Sequence, residues 1–315
     1  MSDTIWVDVS LRDGELTPGV RFEPEQKLAI ARALFDAGVN ALEVGFPGKI
    51  SRDRRSLTAL ATSLPSRRLV ALCRSEISDI DAALRCLDAC ERPRLHLFAG
   101  GETRQTLELV EQSARAVRYA HQHCGDVQFS PLDATRLKPD YLRVLCQAVV
   151  DAGAATVNIS DTLGVATPYS VQQFFTFLLG KVSGEVSWSF HGHNDLGLAT
   201  ANALAALLNG ATQVEACVNG LGPRAGNAAL EEVVAAFGVA QQQTALAFPG
   251  QSGVSGLAPA SDSRAAQNTA YLPDLDALQI ASELIGRYTG ISMPNNKALF
   301  GKWAIPPTLA SIGEK

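Results

Sequence analysis

The stretch Val186–Cys217 reads VSWSFHGHNDLGLATANALAALLNGATQVEAC. Its first residues, Val186–Phe190, are β-branched and aromatic and suit a buried strand. Leu196–Leu208 follows with leucine and alanine at helical spacing. Gln213–Cys217 then returns to a strand-like run. A strand, a helix and a second strand in this order pair the two strands in parallel through a helical crossover.

The same unit recurs outward from this stretch. The strand candidates before it are Ile5–Val9, Ala41–Val44, Leu69–Leu72, Arg94–Phe98, Val127–Ser130 and Thr156–Ile159. Helical stretches lie between and after them, at Glu25–Ala37, Asp79–Asp88, Thr106–His121, Tyr141–Asp151, Ser170–Leu179 and Ala228–Val239. Eight such repeats over roughly 240 residues favour a closed (β/α)₈ TIM barrel, which leaves no sheet edge to cover. A doubly wound open sheet is the alternative. It normally carries a GxGxxG turn after its first strand, and none is present. The expected organisation is a barrel over 1–240, a flexible loop or linker over 241–270, and a short C-terminal extension over 271–315 with a helix near Leu275–Tyr288.

Composition narrows the function. Of 315 residues, 46% are hydrophobic and 19% charged, enough for a large core, and the formal net charge is −5. That balance excludes a basic nucleic-acid surface and a polybasic membrane tract. The opening MSDTIWVDVS has no signal-peptide pattern, and no apolar run approaches a membrane span. The six cysteines contain no CxxC pair and read as buried thiols, so a cytoplasmic protein is expected.

Two charged clusters stand directly after strands, Leu11-Arg12-Asp13-Gly14-Glu15 and His191-Gly192-His193-Asn194-Asp195. In a barrel these ends form the face that carries active sites. Side chains at i and i+2 of a strand share a face, so His191 and His193 point the same way with only Gly192 between them. With Asp13 from strand one they offer two nitrogens and one oxygen, leaving positions open for water and substrate. The same donor set describes non-haem iron sites, which usually sit on antiparallel β folds. A third cluster, Asn219–Asn227, is glycine-rich. It reads either as a plain loop or as amides holding an anion at the next helix start. Ser51-Arg52-Asp53-Arg54-Arg55 reads as a solvated helix start or as a contact for phosphate groups.

These clusters, with their neighbours, resemble one family. SLRDGELTPGVRF (10–22), ALEVGFP (41–47), FSPLDATR (129–136), ISDTLGVATP (159–168), HGHNDLGLATANALAALLNGA (191–211) and NGLGPRAGNAALEEV (219–233) are similar, in order, to motifs of the metal-dependent α-carboxyketose synthase and HMG-CoA lyase superfamily. Its members include homocitrate, isopropylmalate and citramalate synthases, and the synthase branch is the more similar. The resemblance implies a divalent ion (Mg, Mn or Zn) held by Asp13, His191 and His193, with Asn227 as a further ligand or a partner behind them. It implies that a 2-oxo acid and acetyl-CoA undergo a Claisen condensation to a 2-hydroxy diacid. Arg12 would be the catalytic residue, stabilising the developing alkoxide and carboxylate charge. Arg12, Glu43, His96 and Thr162 would bind substrate. Thr162 could equally serve as the N-cap of the helix after strand six. Relatives of this type often form homodimers.

The chain departs from the family pattern at definite places. RDGEQ becomes RDGEL at Leu16, FSxED becomes FSPLD at Leu132, and GLGERAGN carries Pro223. Leu132 stands where a glutamate acts in the synthases, and leucine moves no proton. After strand four the usual Ser and His residues are replaced by Ala99-Gly100-Gly101-Glu102-Thr103. Ile291-Ser292-Met293-Pro294-Asn295-Asn296-Lys297 echoes the synthase linker, but no His follows His193 to serve as a lid histidine. Three readings follow: a synthase with a changed substrate, a metal-dependent lyase or aldolase, or a barrel subunit completed by a lid on another chain. The lyase branch carries a Cys in the strand-eight loop, and Asn219–Asn227 has none. Leu16 and Leu132 together suggest an apolar wall for a less polar substrate side chain.

Overall fold

The computed structural model describes residues 4–101, 103–244 and 271–304. Eight parallel strands close on themselves: β1 Ile5–Asp8, β2 Ala41–Gly45, β3 Arg68–Arg74, β4 Arg92–Gly100, β5 Val127–Leu132, β6 Thr156–Asp161, β7 Ser187–Gly192 and β8 Gln213–Ala216. The barrel is sealed by β8 against β1, with Ile5 opposite Gln213 and Asp8 opposite Ala216. The expected barrel is therefore the observed one, and the open sheet is excluded.

The helices are α1 Pro24–Asp36, α2 Ser51–Ser63, α3 Ile77–Cys86, α4 Leu107–His123, α5 Pro139–Asp151, α6 Pro168–Leu179, α7 Ala199–Leu208, α8 Leu230–Thr244 and α9 Leu275–Thr289. Their starts are written locally. Proline opens α1, α5 and α6, where its missing N–H costs nothing. Glu23 with Gln26, and Thr167 with Ser170, form capping boxes for α1 and α6. Thr167, not Thr162, caps α6, so the capping alternative for Thr162 is set aside. The arginine-rich run at 51–55 begins α2. There Asp53 is buried and accepts from the Phe46 amide at 2.8 Å, and Arg54 donates to the Pro47 carbonyl.

The core lies inside the barrel and between barrel and helices, with Trp6, Phe129, Phe175 and Phe190 fully buried. Helix α8 runs on to Thr244, so 241–244 is helical where a loop had been expected, while 245–270 lies outside the described residues. Helix α9 packs on the barrel. Tyr271 accepts from the Trp6 indole at 3.1 Å, the Asp274 amide donates to Ala37, and Leu278, Ala281 and Ile285 are buried. Among the described residues no helix is long and apolar enough to cross a membrane.

Candidate metal centre and active site

The loop after β1 is pinned from below by Lys27, a fully buried cation. Its ammonium donates to the carbonyls of Leu11 (2.7 Å) and Val44 (3.0 Å) and pairs with Glu15 at 2.7 Å. Buried charges need such satisfaction. The result fixes the ends of β1 and β2 together and presents Arg12 and Asp13 at the barrel mouth. The loop after β8 is fixed differently. Asn219 adopts φ +62°, and Gly222 and Gly226 have φ +152° and +89°. A Cβ on Gly222 would come within 2.4 Å of the Asn227 amide, and one on Gly226 within 2.0 Å of the Gly220 carbonyl, so only glycine fits. Its amides are used internally: Asn219 to Glu231, Gly222 to Thr17, Gly226 to Pro223 and Asn227 to Gly220. These four amides are therefore taken by acceptors inside the loop and on its neighbours, which hold Asn227 in place, and they are not free to cradle an anion.

At the mouth, His191 Nε2 and His193 Nε2 are 3.3 Å apart, and both lie about 4 Å from Asp13 Oδ2 (3.9 and 4.0 Å). One donor atom from each falls within 4.8 Å of the others, and all three residues are buried. Two imidazole nitrogens bound tetrahedrally at about 2.0–2.1 Å stand about 3.3 Å apart, which is the spacing found. Asn227 Nδ2 donates to Asp13 Oδ2 at 2.7 Å, while its buried Oδ1 has no hydrogen-bond partner. Asp13, Glu43 and Glu215 are all buried. Among the described residues, Arg12 is the one permanent cation that touches any of the three. Three carboxylates against one guanidinium leave two negative charges, the amount a divalent cation neutralises. The residues present thus fit such an ion in donor type, spacing and charge.

The local electrostatics keep Asp13 ionised and His193 unprotonated, and treat His191 differently. Burial works against ionisation of Asp13, but Arg12, then His191 and His193, and the Asn227 amide hold its carboxyl down at about 2. Burial first, and then the His191 charge, lower His193 to about 4. His191 is raised instead: burial opposes this, yet contact with Glu215 and the Asp13 charge outweigh it.

The cavity over this centre is about 380 Å³. Arg12, Asp13, His96, Thr162, His191 and His193 line it, so six of the eight residues singled out in the sequence meet in one place. Glu43 and Asn227 do not line it. Glu43 stands behind the wall, with its oxygens engaged by Arg12 and by His96 Nδ1 at 2.6 Å. The Thr162 hydroxyl accepts from the Asp133 amide at 3.0 Å, which leaves its own proton to donate into the cavity. Leu16 and Leu132 line the same cavity, as do Leu72, Phe98 and Pro223.

Several lining residues were not singled out in the sequence: Ser130, Asn158, Ser160, Glu215 and Arg224. For the four on strands the signal was polar alternation, at Gln128/Ser130, Asn158/Ser160 and Gln213/Glu215. Arg224 clamps the rim, bidentate to Asp195 at 2.8 Å and donating to the Thr162 carbonyl. A separate cavity of about 480 Å³ lies between α9 and the β8–α8 loop, lined by none of the metal-centre residues.

Comparison with known proteins agrees with this geometry. The HMGL-like family pattern matches residues 3–252. The chain belongs to the HMGL-like family. It is 36% identical over 304 residues to a 2-isopropylmalate synthase of Halalkalibacterium halodurans, covering 93% of this chain and 55% of that protein. It is 42% identical over 249 residues to the 2-isopropylmalate synthase of Stenotrophomonas maltophilia, covering 74% and 47%. This HMGL-like chain spans about half the length of the curated relatives it matches. Among solved structures, the HMG-CoA lyase of Bacillus subtilis superposes with a TM-score of 0.70 at 19% identity, over 93% of this chain and 96% of that one. An HMG-CoA lyase of Acinetobacter baumannii, solved with coenzyme A and 3-methylmalate, gives 0.67 at 19% identity, over 98% and 95%. At that identity the two lyases speak for the shared fold.

Proposed function

We propose that this HMGL-like barrel is a metal-dependent acyltransferase. The acetyl methyl carbon of acetyl-CoA, after loss of a proton, adds to the ketone of a 2-oxo acid, and water then hydrolyses the thioester to release CoA and a 2-hydroxy diacid. The observation that carries this reading is the convergence of Asp13, His191 and His193 beside Arg12 in one cavity. Support comes from the identity of 36–42% to 2-isopropylmalate synthases over much of the chain. Asp13, His191 and His193 would hold Mg, Mn or Zn, and the bound ion supplies Lewis-acid polarisation of the ketone.

The chain's own groups do the positioning. The Arg12 guanidinium, locked between Asp13 and Glu43, points its remaining donors at the substrate carboxylate and at the oxygen that gains charge. The Thr162 hydroxyl donates to a substrate oxygen. His96 is oriented by Glu43 and Ser130, at 2.6 Å each, and closes the floor. Glu43 acts through Arg12 and His96 and not by direct contact. Asn227 steadies Asp13 from behind. The wall of Leu16, Leu72, Phe98 and Leu132 supports an oxo acid with an aliphatic side chain, because a charged one would be desolvated there unpaired. Six cysteines, all free and buried, support the cytoplasm as its compartment. A homodimer is the proposed assembly, which light scattering tests.

The test is a panel of 2-oxo acids with acetyl-CoA and Mg, Mn or Zn, followed by free thiol release. Release that needs both oxo acid and metal is expected, largest with aliphatic side chains. Silence across the panel with metal bound would turn the assignment toward the lyase or the partner-completed barrel.

A further inference from the structure

Glu215 lies on β8 at 2% exposure, in strand register with His191 on β7. Register partners on adjacent parallel strands project to the same side of the sheet. Here both project into the barrel, and Glu215 Oε2 lies 3.1 Å from His191 Nδ1. The other oxygen, Oε1, accepts from the Gln128 amide and lies 3.8 Å from His96 Nδ1. Asn158 Nδ2 approaches Oε2 at 3.5 Å. Side chains on β4, β5 and β6 therefore surround this carboxylate and hold it in place. No lysine or arginine contacts it among the described residues; its ring partners are two imidazoles.

A buried carboxylate without a permanent cation is costly unless its charge serves something nearby. A ligating imidazole normally donates its remote N–H to a carboxylate, which fixes the tautomer and turns the other nitrogen's lone pair toward the ion. Glu215 stands on the remote side of His191, opposite the Nε2 that faces His193 and Asp13. We propose that Glu215 is the positioning residue of the metal centre: from its ion-pair contact at 3.1 Å it accepts a hydrogen bond from the Nδ1–H of His191 when the ion is bound, presents Nε2 to the ion, and ties that ligand to the His96 side of the substrate cavity. This rests on the metal reading of Asp13, His191 and His193. Contacts then run in a closed ring through Arg12, Glu43, His96, Glu215, His191 and Asp13.

Two measurements test it. Mn²⁺ alone is titrated into the purified chain and into Glu215→Gln and Glu215→Asp, with thermal unfolding of the metal-free proteins as the control for folding. Affinity should fall about 10- to 100-fold in Glu215→Gln and recover in part in Glu215→Asp. An unaltered chain that takes up no Mn²⁺ would sink the metal reading itself. Mn²⁺ bound by the unaltered chain and within threefold by a folded Glu215→Gln would sink the role of Glu215 alone. The second measurement needs no substitution of Glu215. Nitrogen NMR of ¹⁵N-histidine-labelled, Zn²⁺-loaded protein should show the His191 resonance, identified by its loss in His191→Gln, protonated at Nδ1 and metal-bound at Nε2. A proton on Nε2, or metal on Nδ1, would overturn the proposal.

Discussion

His191 Nε2 and His193 Nε2 face each other at 3.3 Å, and at most one proton fits between them. Neither ring reaches a carboxylate through this nitrogen at hydrogen-bonding distance, since Asp13 Oδ2 lies 3.9 and 4.0 Å away. Two imidazole nitrogens that have only each other as a partner, and one carboxylate, suit a shared cation in this buried corner. The purified chain is expected to hold about one divalent ion per chain, and a His191→Ala, His193→Ala double variant none. Elemental analysis after dialysis checks this. Equal metal content in the two proteins would mean that the ion sits elsewhere.

Metal uptake should release protons and should weaken in acid. The ion needs unprotonated nitrogens. His193, lowered to about 4 by burial and by the His191 charge, is already neutral near pH 7. His191 is raised, because Glu215 and Asp13 outweigh its burial, and it keeps its proton longer. Affinity for Mn²⁺ is therefore lost first as pH falls through the His191 titration, and only near pH 4 through that of His193. For the metal-free chain the sign is opposite. The raised His191 titration contributes stability that is complete below its unfolded-state value and disappears as pH rises through the folded one. Titration calorimetry in two buffers of different ionisation enthalpy measures the proton count, and identical heats would contradict proton release.

Asp8 gives a pH dependence away from the metal. It is fully buried beneath the β8 loop, and burial pushes its carboxyl up to about 7, despite bonds from Ser10 and the Val218 amide. The folded chain then binds a proton that the unfolded chain has released. Stability from this group is full below its unfolded-state pKa near 4 and falls as pH rises toward 7. The size is on the order of a few kcal/mol, since one unit is about 1.4 kcal/mol. Asp8→Asn keeps an acceptor for the Ser10 amide and cannot ionise. Urea unfolding at pH 5 and pH 8 should show the variant gaining on the unaltered chain at the higher pH. A gap that does not change with pH would mean that Asp8 titrates normally.

The fold was legible because each strand announced itself through apolar and β-branched runs, and each helix through leucine and alanine spacing with proline or a capping pair at its start. The ligand set was legible because His191-Gly192-His193 and Arg12-Asp13 sit at strand ends, where side-chain direction is fixed by the strand. What escaped were polar residues within strands. Glu215, Ser130 and Asn158 alternate with apolar residues in their strands, and their inward direction follows only once the barrel closes and the register is known. Glu43 was legible as a residue of the site but not as one behind its wall, because that depends on where the Arg12 and His96 side chains turn. Leu132 was read as a gap in the chemistry. It lines the same cavity as Leu16, Leu72 and Phe98, so part of the cavity surface there is apolar.

That surface predicts selectivity. In Leu132→Glu a carboxylate replaces an aliphatic group on the wall and must be solvated inside the cavity. The kcat/KM for 2-oxo acids with aliphatic side chains should fall about 10- to 100-fold, while that for short or polar oxo acids changes less. Thiol release across the oxo-acid panel gives the ratio. A uniform loss for every substrate would place the effect on chemistry or folding and not on the wall.

Lys297 predicts how firmly the C-terminal segment belongs to the barrel. Its ammonium lies 3.3 Å from Glu231 Oε1 and contacts Glu232, with Glu231 fully buried at the start of α8. Glu231 Oε2 in turn accepts from the Asn219 amide, and Asn219 Oδ1 accepts from Ser282 of α9. The segment after α9 therefore reaches the loop that carries Asn227. Burial raises the Glu231 carboxyl, and Lys297 is the first influence that opposes it. Lys297→Ala leaves a buried carboxylate without its cation and should destabilise the chain by about 2–3 kcal/mol, below the range for a fully buried pair because the lysine side chain keeps 17% exposure. Glu231→Gln in that background removes the stranded charge and should recover about half of the loss. Denaturant midpoints of the unaltered chain, both single variants and the double variant give the coupling directly. Additive effects would mean that the segment lies against the barrel without bearing on α8, and the loop holding Asn227 would then be held by its glycines and by Thr17 without help from Lys297.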